Sequence, residues 1–456
     1  MSLRQTSSNS KFPAKTHARK VADELGVDNG LIYLPGQLES TWEDSDMGPS
    51  FRQRRYFYYL TGADFAGCAV TYDMNLLLWF GTTPTPAKCL EKADLDEVKY
   101  VSDLPKYLIS KLATVQQLYV LRESQMPKLG SLGVLTPQVR VDTTSLLPAI
   151  SEARVVKTDY EIAMIRIACA VSSKAHHDVC ARFLYFKNEC EIEATFSASC
   201  IASNSHAQSY PVIAGSGTNA GTLHYDSNNE PLEGRQVVVL DAGAERNCYA
   251  SDITRTLPIG GKFTREGKAS TTFLQLHAHM VAANGLLHLG ILHNGSAREI
   301  FANGTTAAFF PHVLGHHVGL EVHDVPGREK LMLQADGLPS VVRRSKRTPI
   351  TPGILQAMIK DAAGVYGGPF TGRRELDAGM VVTIEPGIYF CREYIEASFL
   401  KKPEHAKYIN REVLEKYWGV GGVRIEDCIL VTGEGHENIS SAAPKGERML
   451  NIINRR

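Results

Sequence analysis

The sequence predicts a mixed α/β (α+β) protein with a smaller N-terminal domain and a larger C-terminal domain. The chain has 456 residues, which is enough for two or three domains. Strand-like apolar runs alternate with helical patterns along it, and a helix-start signal lies close to residue 158. We therefore expect one domain over residues 1–150 and a second domain over residues 155–456.

The composition is that of a soluble globular protein. Hydrophobic residues make up 43% of the chain and charged residues 21%, which excludes disorder over most of its length. The 49 basic and 49 acidic residues give zero net charge, so we expect no nucleic acid as a partner. No apolar run approaches the roughly 18 residues of a membrane span, so we expect no membrane partner either.

The N-terminal segment and the cysteines favour a cytoplasmic protein. The segment MSLRQTSSNSKFPAKTHARK lacks the apolar core of a signal peptide. The nine cysteines are widely spaced and odd in number, and they contain no C-x-x-C pair. This pattern indicates reduced thiols in a cytoplasmic compartment, in preference to a disulfide framework or a zinc ribbon.

The N-terminal domain opens with an α/β pattern. Residues 15–26 have helical periodicity that ends at Gly26, a typical residue for closing a helix. Residues 30–36 and 63–73 are predicted strands bounded by turn residues. The aromatic and basic stretch 51–62 is either a half-buried strand or the edge of a helix, and the sequence leaves both open.

The second domain is predicted to begin with a helix. Thr158 and Glu161 have the spacing of a capping box, in which the two side chains satisfy the free N–H groups of the first turn. Ile162, Ile165 and Cys169 then lie on one face. Further along, residues 326–379 have weak periodicity and predict a long surface insertion.

Two aspartates end strand-like runs in residues 236–263. Asp241 follows a valine-rich strand, and Asp252 lies in the predicted returning strand. Acids on paired strands would repel each other when buried, unless a cation lies between them. The alternative is that both aspartates stabilise turns, which is plausible for Asp241 before Ala-Gly and weaker for Asp252.

Residues 309–325 carry a cluster of histidines. Val313 stands where a zinc metalloprotease of the H-E-x-x-H type has glutamate, so that motif is absent. Gly315 and Gly319 indicate a loop or a strained helix start. Because single histidines are usually structural, the density of this cluster is what predicts a site. Its members are His312, His316, His317 and His323.

Two glutamates follow further strand-like runs. Glu385 ends the run in residues 379–390, and Pro386 terminates the pairing there. Glu426 lies in residues 419–432, on the same strand face as Arg424. An arginine two residues from a buried acid can orient that carboxylate by charge-assisted hydrogen bonds.

The combined set predicts a dinuclear metal site for hydrolysis. Four carboxylates carry four negative charges, which two divalent cations would balance. Many oxygens with one imidazole suit Mn²⁺ or a similarly hard ion. Two ions roughly 3.5–4 Å apart could share carboxylates and a hydroxide that attacks an acyl or phosphoryl bond. His224, in the extended run LHYD, becomes a candidate substrate contact beside such a site.

Four ordered motifs resemble one known family. LDAG with SDITRT, PHVLGHHVGLEVHDV, TIEPGIYF and GGVRIED are similar to the metal-dependent "pita-bread" peptidases, especially Xaa-Pro aminopeptidase (aminopeptidase P) and Xaa-Pro dipeptidase (prolidase). The overall layout resembles fungal Xaa-Pro aminopeptidases. The resemblance covers residues 155–456 and is weaker over 15–150, which resemble a creatinase-like N-terminal domain. It implies a pita-bread catalytic domain behind a smaller α/β domain.

The resemblance also implies roles for individual residues. Asp252 and Glu426 match the carboxylates that bridge two Mn²⁺ ions, and Glu385 matches the residue that also shuttles a proton. Arg424 matches the arginine beside the last ligand. The family cleaves the bond between an N-terminal residue and a following proline, and its members are often homo-oligomers, which predicts a dimer by analogy. The matched metal ligands are Asp241, Asp252, His316, Glu385 and Glu426, and the matched substrate-site histidines are His224, His312 and His323.

Three alternatives remain at the level of sequence. Residues 409–427 resemble eukaryotic prolidase, so a dipeptidase that cleaves Xaa-Pro is the main one. A non-catalytic binding protein on the same fold and a creatinase-like amidinohydrolase that works without metals are the others. The complete set of five matched ligands argues against both of these, and aminopeptidase P-type activity is favoured over the dipeptidase.

Overall fold

The computed structural model describes residues 11–74, 76–81, 85–127, 139–263, 275–325, 349–362 and 376–455. The described residues up to Tyr160 form one compact unit, and nearly all of those from Glu161 onward form another. Of the predicted insertion, residues 326–348 and 363–375 lie outside the described residues. Between these two stretches, Pro352–Ala362 is a helix.

The described part of the first unit is a six-stranded mixed sheet with helices. The strand order is β4-β3-β2-β1-β5-β6, in which β1–β2 and β2–β3 are antiparallel and the other pairs are parallel. The strands are β1 (Leu31–Pro35), β2 (Ala69–Tyr72), β3 (Leu77–Gly81), β4 (Glu97–Tyr100), β5 (Gln117–Val120) and β6 (Arg140–Asp142). The helices are α1 (Ala14–Leu25), α2 (Arg55–Thr61), α3 (Pro86–Lys92), α4 (Leu104–Leu112) and α5 (Leu146–Ala153).

All four predicted N-terminal elements can be compared with the structure, and the strand predicted over 30–36 is β1. The helix predicted over 15–26 is α1, and Gly26 ends it with a left-handed φ of 64°. The stretch 51–62, for which the sequence left two alternatives, contains the buried helix α2. The strand predicted over 63–73 begins only at Ala69, because the preceding backbone turns and the Phe65 carbonyl accepts a bond from Gln53 Nε2 (2.9 Å).

The described part of the second unit contains three small antiparallel sheets, ordered β7-β8-β9, β10-β13-β14 and β11-β12. The strands are β7 (Ile213–Ser216), β8 (Val237–Asp241), β9 (Thr254–Pro258), β10 (Val381–Ile384), β11 (Gly387–Tyr389), β12 (Gly422–Arg424), β13 (Asp427–Thr432) and β14 (Gly435–Asn438). The helices are α6 (Asp159–Arg182), α7 (Glu189–Ala202), α8 (Gln275–His288), α9 (Ala297–Ala302), α10 (Pro352–Ala362), α11 (Arg392–Ile395), α12 (Pro403–Ala406), α13 (Arg411–Leu414) and α14 (Gly446–Ile453).

Large apolar clusters of described residues pack against the β7-β8-β9 and β11-β12 sheets. One packs α6, α7 and α14 against β7–β9 through side chains such as Phe196, Leu240 and Ile453. Another joins α8, α9 and α10 to β12 and to the segments around Phe309 and Phe399. Burial of these apolar faces is the main favourable contribution to the fold. Across the described ranges, no helix combines the length and the hydrophobicity that crossing a bilayer requires.

The start of β9 differs from the sequence prediction. Asp252 was expected inside the returning strand, but β9 begins at Thr254, two residues later. The backbone of Asp252 bonds to a side chain in place of a strand partner. Its N–H donates to Cys428 Sγ (3.3 Å), and the Cys428 thiol donates to its carbonyl oxygen (3.1 Å). This thiol therefore fixes the backbone that carries the Asp252 carboxylate.

A buried arginine ties the strands together next to the two glutamate-bearing segments. Arg255 is 1% exposed, and its Nη2 lies 2.8 Å from Asp427 Oδ1. Its other donors reach the carbonyls of Thr254 (2.8 Å), Glu426 (2.7 Å) and Pro444 (3.0 Å). A buried charge of this kind is tolerated because it is paired and its donors are satisfied.

The Asp427 carboxylate should contribute stability that depends on pH. Burial raises its pKa, but Arg255 and Lys445 outweigh burial and set the pKa at about 2. Because this lies below the unfolded value of about 3.9, the stabilisation is present above pH 4 and is lost as the pH falls through 2. Asp427→Asn should lower the free energy of unfolding by about 2–3 kcal/mol at pH 7 and by about half as much at pH 3.

Urea unfolding followed by circular dichroism at the two pH values measures this difference. Glu434→Gln is the control, since it removes the same charge at an exposed position after β13. The control should change the free energy of unfolding by less than about 0.5 kcal/mol. An Asp427→Asn loss that is equal at pH 7 and pH 3 would contradict the ion-pair account.

Candidate active site

Four buried carboxylates converge from the ends of strands in the second unit. Asp241 closes β8 and is paired in register with Thr254, so Asp252 lies just beyond the facing strand. Glu385 follows β10, and Glu426 lies between β12 and β13, where its N–H donates to the Thr254 carbonyl (3.1 Å). All four carboxylate residues are less than 9% exposed. Residues far apart in the sequence thus meet because three sheets end at one place.

The histidine-rich stretch 309–325 is a loop, one of the two alternatives that its glycines left open, and it pairs with β10. Thr383 N–H donates to the His316 carbonyl (2.8 Å), and Glu385 N–H donates to the Leu314 carbonyl (2.7 Å). A Cβ at Gly315 would lie 1.9 Å from the Thr383 carbonyl oxygen, so only glycine fits this approach. The close packing brings the His316 imidazole beside the carboxylates.

The His316 ring is oriented by a backbone hydrogen bond. Its Nδ1 lies 3.0 Å from the His317 carbonyl oxygen, which can only accept, so Nδ1 carries a hydrogen. Nε2 faces acidic oxygens: it lies 3.3 Å from Glu385 Oε1, 3.4 Å from Asp252 Oδ2 and 4.0 Å from Glu426 Oε1. An imidazole whose Nδ1 is held by a carbonyl in this way is a metal ligand in many proteins.

The geometry of these groups fits divalent cations. Among the described residues, His316 Nε2 and Glu426 Oε1 are buried and have no hydrogen-bond partner. Burial and the neighbouring Asp252, Glu385 and Asp241 carboxylates raise the pKa of Glu426 well above its usual range. Such crowding is unfavourable unless positive charge compensates it.

Three overlapping groups of candidate ligands have ligand atoms within 4.8 Å of one another. Two of them share Glu426 and two share His316, as expected of ligands around adjacent ions. One group includes His323, which the sequence had placed only in the substrate site. The groups are Asp252 with His316 and His323, His316 with Glu385 and Glu426, and Asp241 with Asp252 and Glu426.

Arg424 orients the acids through two contacts. Its Nη2 forms a short ion pair with Asp241 Oδ2. Its Nε donates to Thr254 Oγ1 (3.0 Å), and that hydroxyl donates to Glu426 Oε2 (2.6 Å). The sequence suggested a direct contact with the neighbouring acid, whereas the structure shows that Arg424 reaches Glu426 through Thr254.

Tyr389 connects Arg424 to His312. Arg424 Nη1 donates to Tyr389 OH (2.9 Å), so the hydroxyl is left to donate to His312 Nε2 (2.9 Å). His312 Nδ1 lies 2.7 Å from the Val313 carbonyl oxygen and 3.8 Å from Glu385 Oε2. Burial raises the pKa of Tyr389 to about 12, so it stays a donor at neutral pH.

Tyr210 is a site residue that the sequence reasoning missed. Its hydroxyl lies 2.6 Å from Asp241 Oδ1 and 2.5 Å from Asp252 Oδ1. Burial and these two carboxylates raise its pKa well above the ordinary value of 10. It therefore remains protonated and donates to the acids. A single tyrosine before Pro211 carries no motif, so the sequence offered no signal for it.

A cavity of about 160 Å³ opens over these groups. All the site residues that the family resemblance implied, except His316, line it, and His316 lies against its His323 wall with ring centroids 4.3 Å apart. His317, the remaining member of the histidine cluster, is buried and does not line it. His224 and His323 are exposed, whereas His312 is buried. The lining consists of Tyr210, Pro211, Ile213, Leu223, His224, Asp226, Asp241, Asp252, His312, Val322, His323, Glu385, Arg424 and Glu426.

Comparison with known proteins gives consistent similarities. The family model described as "Metallopeptidase family M24" matches residues 163–433, and that of "Aminopeptidase P, N-terminal domain" matches residues 14–119. A "Probable Xaa-Pro aminopeptidase" of Colletotrichum graminicola is 52% identical over 97% of this chain and 92% of its own length. Another with that name, from Metarhizium acridum, is 47% identical over 99% of this chain and 95% of its own length.

Solved structures agree with these matches at the level of the fold. Zn-substituted E. coli aminopeptidase P in complex with product has a TM-score of 0.71 and is 22% identical. The match covers 97% of this chain and 99% of that chain. The two-part α/β fold that the motif resemblance predicted is therefore confirmed.

The contact between Gly315 and Thr383 should control cation binding. Gly315→Ala places a methyl group against the Thr383 carbonyl and should displace His316 from the carboxylates. We expect affinity for a divalent probe ion such as Co²⁺ to fall about tenfold or more, measured by isothermal titration calorimetry. Gly285→Ala in α8 is the control, because a Cβ there meets no atom within 4 Å. Equal affinities for the two variants would refute the prediction.

Proposed function

We propose that this chain, which belongs to metallopeptidase family M24, is an Xaa-Pro aminopeptidase, a metal-dependent exopeptidase. It removes the N-terminal residue from peptides whose second residue is proline. One observation carries the proposal: four buried carboxylates converge, and three of them, Asp252, Glu385 and Glu426, face His316 Nε2. The names of the close relatives support the choice of substrate.

The metals are proposed to be two Mn²⁺ ions. Asp241, Asp252, His316, Glu385 and Glu426 would hold them, with Asp252 and Glu426 shared between the two. Four carboxylates match the charge of two divalent cations, and a set rich in oxygen suits a hard ion. Bound divalent cations would polarise the scissile carbonyl and make a water molecule acidic enough to attack it at neutral pH.

The residues of this chain orient the reactants and move the proton. Glu385 is proposed to accept a proton from the attacking water and to deliver it to the leaving nitrogen. The Arg424 ion pair with Asp241 and its link through Thr254 hold two of the carboxylates in fixed orientations. The Tyr210 hydroxyl lies between Asp241 and Asp252 and shares its single hydrogen between their carboxylates.

The histidines are proposed to contact the substrate. His224 and His323 are exposed at the cavity and can donate to the peptide carbonyls, while buried His312 lies beside Glu385. The bond before proline is a tertiary amide without an N–H, so a peptidase that relies on that hydrogen bond is at a disadvantage. A site that activates the carbonyl and the water does not need this donor.

We place the protein in the cytoplasm and expect a homodimer. Seven of the nine cysteines are buried, and their wide spacing without a C-x-x-C pair is typical of a reducing compartment. The homodimer is inferred by analogy with the family, and light scattering after size-exclusion chromatography tests it. A mass of one chain in solution would contradict it.

Substrate length separates the proposed activity from the dipeptidase alternative. With Mn²⁺ added, the protein should release the first residue from Xaa-Pro-Yaa-Zaa faster than from Xaa-Pro, as measured by chromatography of the products. Preference for the dipeptide would establish the Xaa-Pro dipeptidase instead. Release from neither peptide, together with no stoichiometric Mn²⁺ binding, would favour a non-catalytic protein.

Substitutions of proposed metal ligands and of a proposed substrate contact should have different effects. Asp252→Asn and Glu426→Gln should abolish both hydrolysis and metal uptake, because each removes a shared negative charge. His224→Ala should lower turnover about tenfold or more while metal content stays near normal. Metal analysis and kinetics on the same preparations provide both readouts. Wild-type turnover by Asp252→Asn would show the assignment to be wrong.

A further inference from the structure

The segment of residues 217–230, between β7 and β8, forms one wall of the cavity. It supplies Leu223, His224 and Asp226 to the lining. Apart from a 3₁₀ turn over Gly217–Gly221, it has no regular secondary structure. A segment of this kind keeps its side chains in place only if contacts with its surroundings hold it.

A buried carboxylate outside the cavity supplies such contacts. Glu189, the first residue of α7, is 0% exposed and does not line the cavity. Its two oxygens accept from both ends of the segment and from its middle. The donors are Ser216 N (2.8 Å) and Oγ (2.6 Å), Asn219 Nδ2 (3.2 Å), Tyr225 OH (2.8 Å), Glu230 N (3.1 Å) and Arg235 Nη1 (3.4 Å).

The bond to Tyr225 connects this carboxylate to the cavity wall. Tyr225 follows His224 directly, and Leu223 and His224 form a turn in place of the extended run that the sequence predicted. The Tyr225 ring is half-buried towards Glu189, and His224 is exposed at the cavity. Because the two residues are neighbours in the chain, holding the Tyr225 hydroxyl fixes the end of the turn that carries His224.

Other contacts fix the rest of the segment. Asn228 is 2% exposed, accepts from Ala214 N–H (2.9 Å) and donates to the Val212 carbonyl (2.7 Å), which attaches it to β7. At the other end, a Cβ on Gly421 would lie 1.9 Å from the Gly217 carbonyl oxygen. Glu189 is thus the part of this scaffold that reaches the middle of the segment.

We propose that Glu189 is a positioning residue for substrate binding, which acts by holding the 217–230 segment so that His224 faces the cavity. The proposal rests on the proposed peptidase function for its kinetic consequence, but the positioning itself is independent of it. The charge of Glu189 is suited to this role, because a carboxylate accepts several hydrogen bonds at once and Arg235 compensates it.

The test compares isosteric variants on one helix. Glu189→Gln should raise KM for a Xaa-Pro-Yaa-Zaa peptide about tenfold, with unchanged stoichiometry of Mn²⁺ binding. Glu191→Gln is the matched control: it makes the same change two residues away, at a side chain that accepts from the helix-start amides of Lys187 and Asn188. The control should keep the wild-type KM and kcat.

Tyr225→Phe separates positioning from a general loss of folding. It removes only the hydroxyl that joins Glu189 to the residue after His224, and it should raise KM by severalfold. In the His224→Ala background the same change should have no further effect, because its consequence passes through His224. Tyr225→Phe with an unchanged KM, or an effect of equal size in both backgrounds, would overturn the proposal.

Hydrogen exchange provides a readout that does not depend on activity. Amides of residues 217–230 should exchange faster in Glu189→Gln than in the wild type and in Glu191→Gln, while those of β8 and β9 stay unchanged. Unchanged exchange in this segment would refute the positioning role. If the wild type hydrolyses no Xaa-Pro peptide, the proposed function fails, and the exchange data still decide whether Glu189 holds the segment.

Discussion

Repulsion between buried carboxylates is the constraint on which the second unit depends. Asp241, Asp252, Glu385 and Glu426 are held close together, and the last three lie within 4.0 Å of His316 Nε2. In water these side chains would separate and be solvated, so the surrounding fold must keep them in place. Three sheet ends, a glycine-dependent loop and several buried donors all serve this purpose.

Some hydrogen-bond donors hold the acids directly, and others hold the backbone that carries them. Arg424 and Tyr210 touch the carboxylates directly, and Thr254 passes the orientation of Arg424 on to Glu426. Arg255 donates to the main-chain carbonyl of Glu426, and Asp427 compensates its charge. Arg424 and Arg255 thus limit how far the acids can move apart when no cation is bound.

The sequence predicted the family and the general architecture because both are encoded in local patterns. Each acid follows a run of apolar residues, and four motifs occur in a fixed order, so the candidate residues could be named before their contacts were known. The beginning of β9 was predicted wrongly, because the thiol of Cys428, 176 residues away, replaces the strand partner of Asp252. The partner of Arg424 was misjudged for a related reason, since Thr254 lies on another strand.

Tyr210 and Glu189 could not be identified from the sequence at all. Each acts through contacts with residues that are distant in the chain or in a different element, and neither stands in a recognisable motif. Residues 326–348 and 363–375, most of the predicted insertion, lie outside the described part of the chain. Patterns along the chain therefore reveal the groups that do chemistry more readily than the groups that hold them.

Because Gly421 lies so close to Gly217, the two segments that carry these residues cannot vary in sequence independently. Gly421 has a left-handed φ of 71° and leaves no room for a side chain. A substitution there displaces the turn that leads to His224 and also the start of the strand that carries Arg424. The effect of a replacement at Gly421 or Gly217 should therefore depend strongly on the residue at the other position. Variation of this wall during evolution or in a designed library requires paired changes.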